Sequence, residues 1–159
     1  MKKIAYVLES ETALFRAVKL HRGGGDSIAP IYDLIGGRVI EMIRFDEKHW
    51  LFFDEDALRD GLTAFTIFDG CPKPLAGNIV LIGGDGGQLY RSPLITIADA
   101  AARFQCCRPV LDPVFVTTDD MTSKGLILAG ALASLQVRID RRPPMLEESR
   151  YHDNHGSIQ

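Results

Sequence analysis

The sequence predicts an α+β fold: a mixed or mostly antiparallel sheet built of hairpins, with two or three short helices packed on it. Three observations carry this. Short apolar runs rich in β-branched and aromatic residues recur along the chain, breaks containing glycine, proline or aspartate separate them, and a few segments space their apolar residues as a helix does. At 159 residues, 46% hydrophobic and 25% charged, the chain has the composition of one globular domain, with length enough to bury roughly 70% of its unfolded surface without a disulfide or metal. Residues 1–140 are expected to form that domain and 141–159 a polar, flexible tail.

The elements follow in order. Lys3 to Leu8 (KIAYVL) and Leu14 to Leu20 (LFRAVKL) flank the polar break ESET and read as an opening hairpin. After Gly23, Gly24 and Gly25, Asp26 or Ser27 is placed to cap a two-turn helix, with Pro30 in the first turn, where its missing N–H costs nothing. Ile28, Ile31, Tyr32, Leu34 and Ile35 form its apolar face, and Gly36 with Gly37 stop it. Arg38 to Phe45 and His49 to Asp56 pair across Asp46-Glu47-Lys48. Ala57 to Leu62 fits a helical turn and Phe65 to Phe68 a strand or a buried loop, followed by the connector Cys71-Pro72-Lys73-Pro74.

Asn78 to Ile82 (NIVLI) is continuously apolar, as in the centre of a sheet. Ser92 or Thr96 starts a helix through IADAAARF, with Ile97, Ala100, Ala101 and Phe104 on one face. Val114 to Val116 reads as a short strand, Asp119 or Asp120 as the cap of a helix from Thr122 to Leu135 weakened by Gly125 and Gly130, and Val137 to Ile139 as a last strand.

Composition narrows the function. A net charge of −3 and a pI near 5.8 argue against direct DNA binding, which needs a basic face to neutralise phosphates. Cys71, Cys106 and Cys107 lack framework spacing and read as reduced thiols, the vicinal pair as buried structural residues. MKKIAYVLES carries no cleavage site, and no apolar run nears the roughly 18 residues that cross a bilayer, so a cytoplasmic protein without a membrane role is expected.

The stretch GGDGG, Gly83 to Gly87, raises the question of a phosphate cradle. It lacks the G-x-G-x-x-G and G-x-x-x-x-G-K-[ST] patterns, and Asp85 opposes an anion; a hairpin turn with glycines at positive φ is the preferred reading. Were the ligand a small anionic nucleotide, the backbone amides around Gly83, Gly84, Asp85, Gly86 and Gly87 would meet it, Arg91 and Arg38 would supply charge, and Trp50 or Tyr90 would stack. Asp54, Glu55, Asp56 and Asp60 form the densest acidic cluster, the basis of an alternative reading as a metal-dependent hydrolase or nucleotidyl enzyme. His21 and His49 are the histidines of the folded region, His152 and His155 fall in the tail, and no serine sits in a nucleophile elbow. No metal, cofactor or catalytic residue is assigned, and a non-enzymatic protein is expected.

Ile35, Gly36, Gly37, Val39, Glu41, the Trp50 to Glu55 segment, Gly77, Asn78 and Gly83 to Asp85 together give the stretch from about 27 to 87 a pattern that resembles the uncharacterised domain-of-unknown-function family 3846 of phages, plasmids and some bacterial genomes. The chain departs from it at LTAFTIFDG, where many members carry P-x-N-x-x-A. The resemblance implies a compact α+β accessory protein of phage or mobile-element type that acts by binding, as an anti-defence protein sequestering a host factor or a small anionic nucleotide. Residues after Gly87 lie outside it. A third reading is a structural protein whose apolar 125–137 segment forms a homo-oligomer seam.

Overall fold

The computed structural model describes residues 3–21, 28–58, 63–84, 89–122 and 125–147, with 89–90, 118–122 and 125–129 described by backbone alone. Strand dominates, and the class is mostly β. Along the chain run β1 (Ile4–Glu9), β2 (Leu14–Lys19), α1 (Ala29–Ile35), β3 (Ile40–Asp46), β4 (His49–Asp54), β5 (Phe65–Phe68), β6 (Leu75–Ala76), β7 (Asn78–Gly84), β8 (Leu89–Arg91), α2 (Ile97–Ala101), β9 (Phe104–Thr122), β10 (Gly125–Arg142) and β11 (Met145–Glu147).

The first sheet has the order β11-β2-β1-β7-β4-β3, with β8 on β7; the second has the order β10-β9-β5-β6. Pairing is antiparallel except for β11 on β2. The opening hairpin forms as expected, Ile4 opposite Lys19 through Glu9 opposite Leu14. β7 lies between β1 and β4 with a core on each face, Val80 and Ile82 in one and Ile79 and Leu81 in the other, which is why it reads without alternation.

Each face of the first sheet has its own core. On one, α1 lays Ile31 and Ile35 against Ala5, Val7, Phe52, Val80 and Ile82. Gly36 ends α1 at φ 67°, a conformation that disfavours any residue with a Cβ, and its N–H returns to the Tyr32 carbonyl. Ile28 takes the N-cap position without a side-chain hydrogen bond, while Asp26 and Ser27 lie outside the described residues. On the other face the second sheet and α2 pack through Tyr6, Phe15, Phe45, Leu51, Phe53, Phe68, Leu81 and Phe104.

Several expectations need correction. The α+β class gives way to a mostly β protein because the segment from Thr122 to Leu135 is not a helix: Gly125 to Arg142 is one strand paired with β9 along its whole length. Two glycines weaken a helix there, while the valines and threonines of 110–118 favour a strand that pairs with the inward-pointing backbone groups of its partner. Val114–Val116 and Val137–Ile139 are therefore interior parts of two long strands. α2 stops at Ala101, capped by Thr96, whose hydroxyl accepts from the Asp99 N–H at 3.1 Å, so Phe104 enters the core from β9. Strand structure also continues past residue 140, since β10 reaches Arg142 and the Met145 N–H donates to the Ala13 carbonyl at 2.7 Å.

Gly83 is required for a reason other than turning. A Cβ at this position would stand 2.7 Å from the Ser92 carbonyl oxygen, where real side chains essentially never sit. Gly83→Ala is expected to cost about 1–3 kcal/mol through overpacking against backbone. Gly130, where an added Cβ meets nothing within 4 Å, is the control: Gly130→Ala leaves the urea midpoint in place.

Candidate functional site

The glycine stretch joins two paired strands: Gly83 lies opposite Arg91 and Gly84 opposite Leu89, so the chain reverses between them. Asp85, Gly86 and Gly87 lie outside the described residues. The Gly84 N–H donates to the Lys48 carbonyl at 2.9 Å, so this amide is already spent. Trp50 stands opposite Ile82 on β4, half-buried, with the Arg44 guanidinium 4.1 Å from its ring centroid. Arg91 ends β8 and is exposed; Tyr90, beside it, is described by its backbone.

Gly83, Gly84, Trp50, Tyr90 and Arg91 thus share one end of the sheet. Arg38 does not. It precedes β3, whose first residue pairs with Asp54, whereas Gly83 pairs with His49 at the other end of β4, roughly 17 Å away along the strand.

Beside the glycine hairpin lies a buried histidine. His49, 1% exposed, places Nδ1 at 2.7 and 2.9 Å from the Asp46 carboxylate oxygens, and its Nε2 accepts the Leu94 N–H at 2.9 Å. An accepting Nε2 carries no proton, so Nδ1–H donates to Asp46 and both ring nitrogens are engaged. Burial pushes the Asp46 carboxyl up, but the Lys48 and His49 N–H donors together outweigh it and hold it below the usual carboxylate range. The pair ties the β3–β4 turn to the segment after β8; neither nitrogen is left for general-base work.

The acidic run serves its hairpin. Asp54 Oδ1 accepts the Asp56 N–H at 3.0 Å, the Glu55 N–H donates to the Val39 carbonyl at 2.8 Å, and Asp60 lies outside the described residues. Among the described residues no three His, Cys, Asp or Glu side chains converge as metal ligands. Cys106 and Cys107 are buried, and burial pushes both thiols up, which keeps them protonated and poor nucleophiles. They line a cavity of about 110 Å³ with Ser10, Arg108 and Arg142. The two guanidiniums there already donate to the Glu11 and Thr12 carbonyls.

The most unusual feature is the β9–β10 ribbon. β5 accompanies β9 only as far as Cys107; from Arg108 onward the described partner of β9 is β10, and the ribbon runs about 50 Å from there to its end. Paired residues share a face. One face carries Pro109 with Ile139, Leu111 with Val137, Pro113 with Leu135, Phe115 with Leu132 and Thr117 with Gly130. The other carries Arg108 with Asp140, Val110 with Arg138, Asp112 with Gln136, Val114 with Ser134 and Val116 with Ala131. Arg138 Nε donates to Asp112 Oδ2 at 2.8 Å across that second face.

Between Pro109/Ile139 and Thr117/Gly130 the first face contains no charge, and it stands open: Leu111, Phe115, Leu132, Leu135 and Val137 are 53, 64, 58, 57 and 55% exposed. A register shift between Leu132 and Ser134 makes Ala133 the extra residue of a bulge. Without it, Leu132 would fall on the charged face; the bulge returns it to the side of Leu135.

Two rhizobial proteins align with most of this chain. The uncharacterized protein y4iR of Sinorhizobium fredii is 60% identical over 151 residues, which covers 95% of the chain and 92% of y4iR. Protein PsiB of Rhizobium leguminosarum bv. phaseoli is 64% identical over 132 residues, 83% of the chain and 97% of PsiB. The chain belongs to their family. No family model matches it. No solved structure matches it either. The y4iR alignment is long enough to take in residues 104–142, so the arm's sequence is shared with that relative.

The apolar arm was missed by reasoning on helical spacing, although a signal for it exists. Leu135, Val137 and Ile139 alternate with Ser134, Gln136 and Arg138, with a one-residue slip to Leu132, whereas on the partner strand Val110, Val114 and Val116 fill positions alternating with Leu111, Pro113 and Phe115 and blur the period. Alternation of that kind marks a strand with two unlike faces. Among the described residues no helix is long and apolar enough to cross a membrane.

Proposed function

We propose that this chain is a non-enzymatic accessory protein that works by binding another protein chain, and that the apolar face of the β9–β10 arm is its contact surface. The observation that carries the reading is the unbroken uncharged face from Pro109 and Ile139 to Thr117 and Gly130, on which Leu111, Phe115, Leu132, Leu135 and Val137 are more than half exposed. A two-stranded ribbon is marginal in water, and an apolar face of this extent marks an interaction site. The resemblance over residues 27–87 contributes the accessory role, and the arm lies beyond it. A host factor fits this reading better than an anionic nucleotide, because the Gly84 amide is engaged and Arg38 sits at the far end of β4.

The test is a size fractionation of a rhizobial cell extract containing the full chain or its Phe115→Asp, Leu135→Asp double variant. The wild type is expected in a complex larger than the 17.6 kDa chain, and the variant as a free monomer. Identical monomeric elution of both overturns the reading.

A further inference from the structure

The arm's apolar face needs a cover that the chain's own remaining segments do not hold. The stretches outside the described residues read MK, RGGGDS, RDGL, DGGQ, SK and ESRYHDNHGSIQ, and their large apolar side chains are limited to Met1, Leu62, Tyr151 and Ile158. Such segments are too polar to match a face built of leucine, phenylalanine, valine, isoleucine and proline. None of these stretches supplies the cover.

We propose that a second copy of this chain supplies it: two arms stack face to face about a two-fold axis, and their four strands form a small β-sandwich. The proposal rests on the arm being an interaction surface and names its occupant. Three observations favour a copy of the same face.

The first is chemical match. No charged side chain enters the face between Pro109/Ile139 and Thr117/Gly130, so self-contact strands no buried charge, while Arg108, Asp112, Arg138 and Asp140 stay on the outer sides in water. The second is area. Leu111, Phe115, Leu132, Leu135 and Val137 each leave roughly 100 Å² to bury, so two copies remove about 1,000 Å² from these side chains alone, the size a specific interface clears.

The third is that the ribbon's edges oppose the competing mode, addition of a foreign strand. Pro109 and Pro113 bring no N–H to the open edge of β9, and the bulge at Ala133 breaks the regular ladder of β10. What remains for association is the face. Two sheets packed face to face sit about 10 Å apart, which suits interdigitated leucine and phenylalanine side chains.

Sedimentation velocity of the full chain, from low micromolar to near-millimolar concentration, tests this. The expected result is a species of twice the 17.6 kDa chain mass. Phe115→Asp and Leu135→Asp, each separately, weaken the dimer at least about tenfold, as loss of a central apolar anchor does. Val116→Asp, on the opposite face, leaves it unchanged. Hydrogen exchange on the wild type gives a readout without mutation: backbone amides of 109–117 and 130–139 gain protection as concentration rises.

A wild type that sediments as a monomer throughout overturns the proposal, as does a dimer that survives both substitutions. If the purified chain is monomeric while the cell extract holds a complex that the double variant loses, the occupant is another protein: the dimer falls and the reading of the arm stands. If neither preparation shows a complex, both fall.

Discussion

Phe68→Ala is expected to remove about 4 kcal/mol of stability, a large part of the roughly 5–15 kcal/mol that holds a domain of this kind together. Phe68 is fully buried, and it is the side chain through which the second sheet grips the first. Its ring stacks on Phe45 of β3 at 5.3 Å between centroids and tilts against Phe104 of β9 at 5.4 Å. Phe104 in turn meets Phe15 of β2 edge-on at 5.7 Å, so four strands from both sheets share one aromatic cluster. The Arg103 guanidinium closes it, 4.4 Å from the Phe45 ring and 4.8 Å from the Phe68 ring, with its Nε donating to Asp69 at 2.9 Å. Truncation leaves a cavity that these neighbours, held by strand pairing, are slow to fill. Phe68→Leu fills more of the space and is expected to cost less than half as much. Urea denaturation followed by far-UV circular dichroism measures both. A loss under about 1 kcal/mol for Phe68→Ala would mean that the sheets are held by something other than this cluster.

The base of the arm depends on the same contacts. β9 begins at Phe104 within the cluster, continues through Cys106 beside Thr66, and only then leaves the body as a ribbon. A variant that loosens the Phe68 cluster is therefore expected to free the root of the arm before its far end. The proposed contact surface and the core are linked through one strand.

The legible parts of the fold were those whose signals are local. β1 with β2, and β3 with β4, each show short β-rich runs around a polar break, and the pairing joins residues close in sequence. α1 was readable from Pro30 and Gly36, which act within one turn of where they stand. The strand character of Gly125 to Arg142 was not, because leucine, alanine and glycine at these spacings satisfy a weak helix nearly as well. What decides it is the partner strand, whose prolines at 109 and 113 exclude a long helix and whose register fixes every pair from Gly125 to Arg142.

The candidate site divides in the same way. The chain reversal after β7 is a local property signalled by GGDGG, although Gly83 and Gly84 belong to the strand and do not take the positive φ expected of turn glycines. The arm's face depends on where a single bulge falls: Ala133 decides that Leu132 joins Leu135, Val137 and Ile139 on one side. A one-residue slip is invisible to a count of hydrophobic residues, yet it determines whether the apolar surface is continuous. Arg38 shows the limit from the other direction, since a sequence offers its cations without saying which end of a strand they occupy.

His49→Ala is expected to cost about 3 kcal/mol at neutral pH, of which the larger part is one orphaned donor. The imidazole is the hydrogen-bond partner of the Leu94 N–H, in a segment also anchored by Tyr6, whose hydroxyl donates to the Ile95 carbonyl at 2.9 Å, and by Ser92, which accepts the Ile4 N–H at 3.0 Å. Removing the ring leaves that amide without its partner and takes away the edge-on contact of the imidazole with the Phe45 ring, 6.1 Å between centroids. Asp46→Asn keeps an acceptor oxygen for Nδ1–H and the Lys48 N–H, and is expected to lose less. The pH dependence separates the two effects. Asp46 is held below its unfolded value, so its contribution is present above about pH 4 and is lost as pH falls through the folded value. Wild-type stability should therefore drop in acid, Asp46→Asn should flatten that drop, and His49→Ala should reduce it in part, because the Lys48 and backbone donors to Asp46 remain. Urea midpoints at neutral pH and in acid resolve the three slopes. An acid limb identical in all three proteins would show that the pair holds the turn without any charge on Asp46.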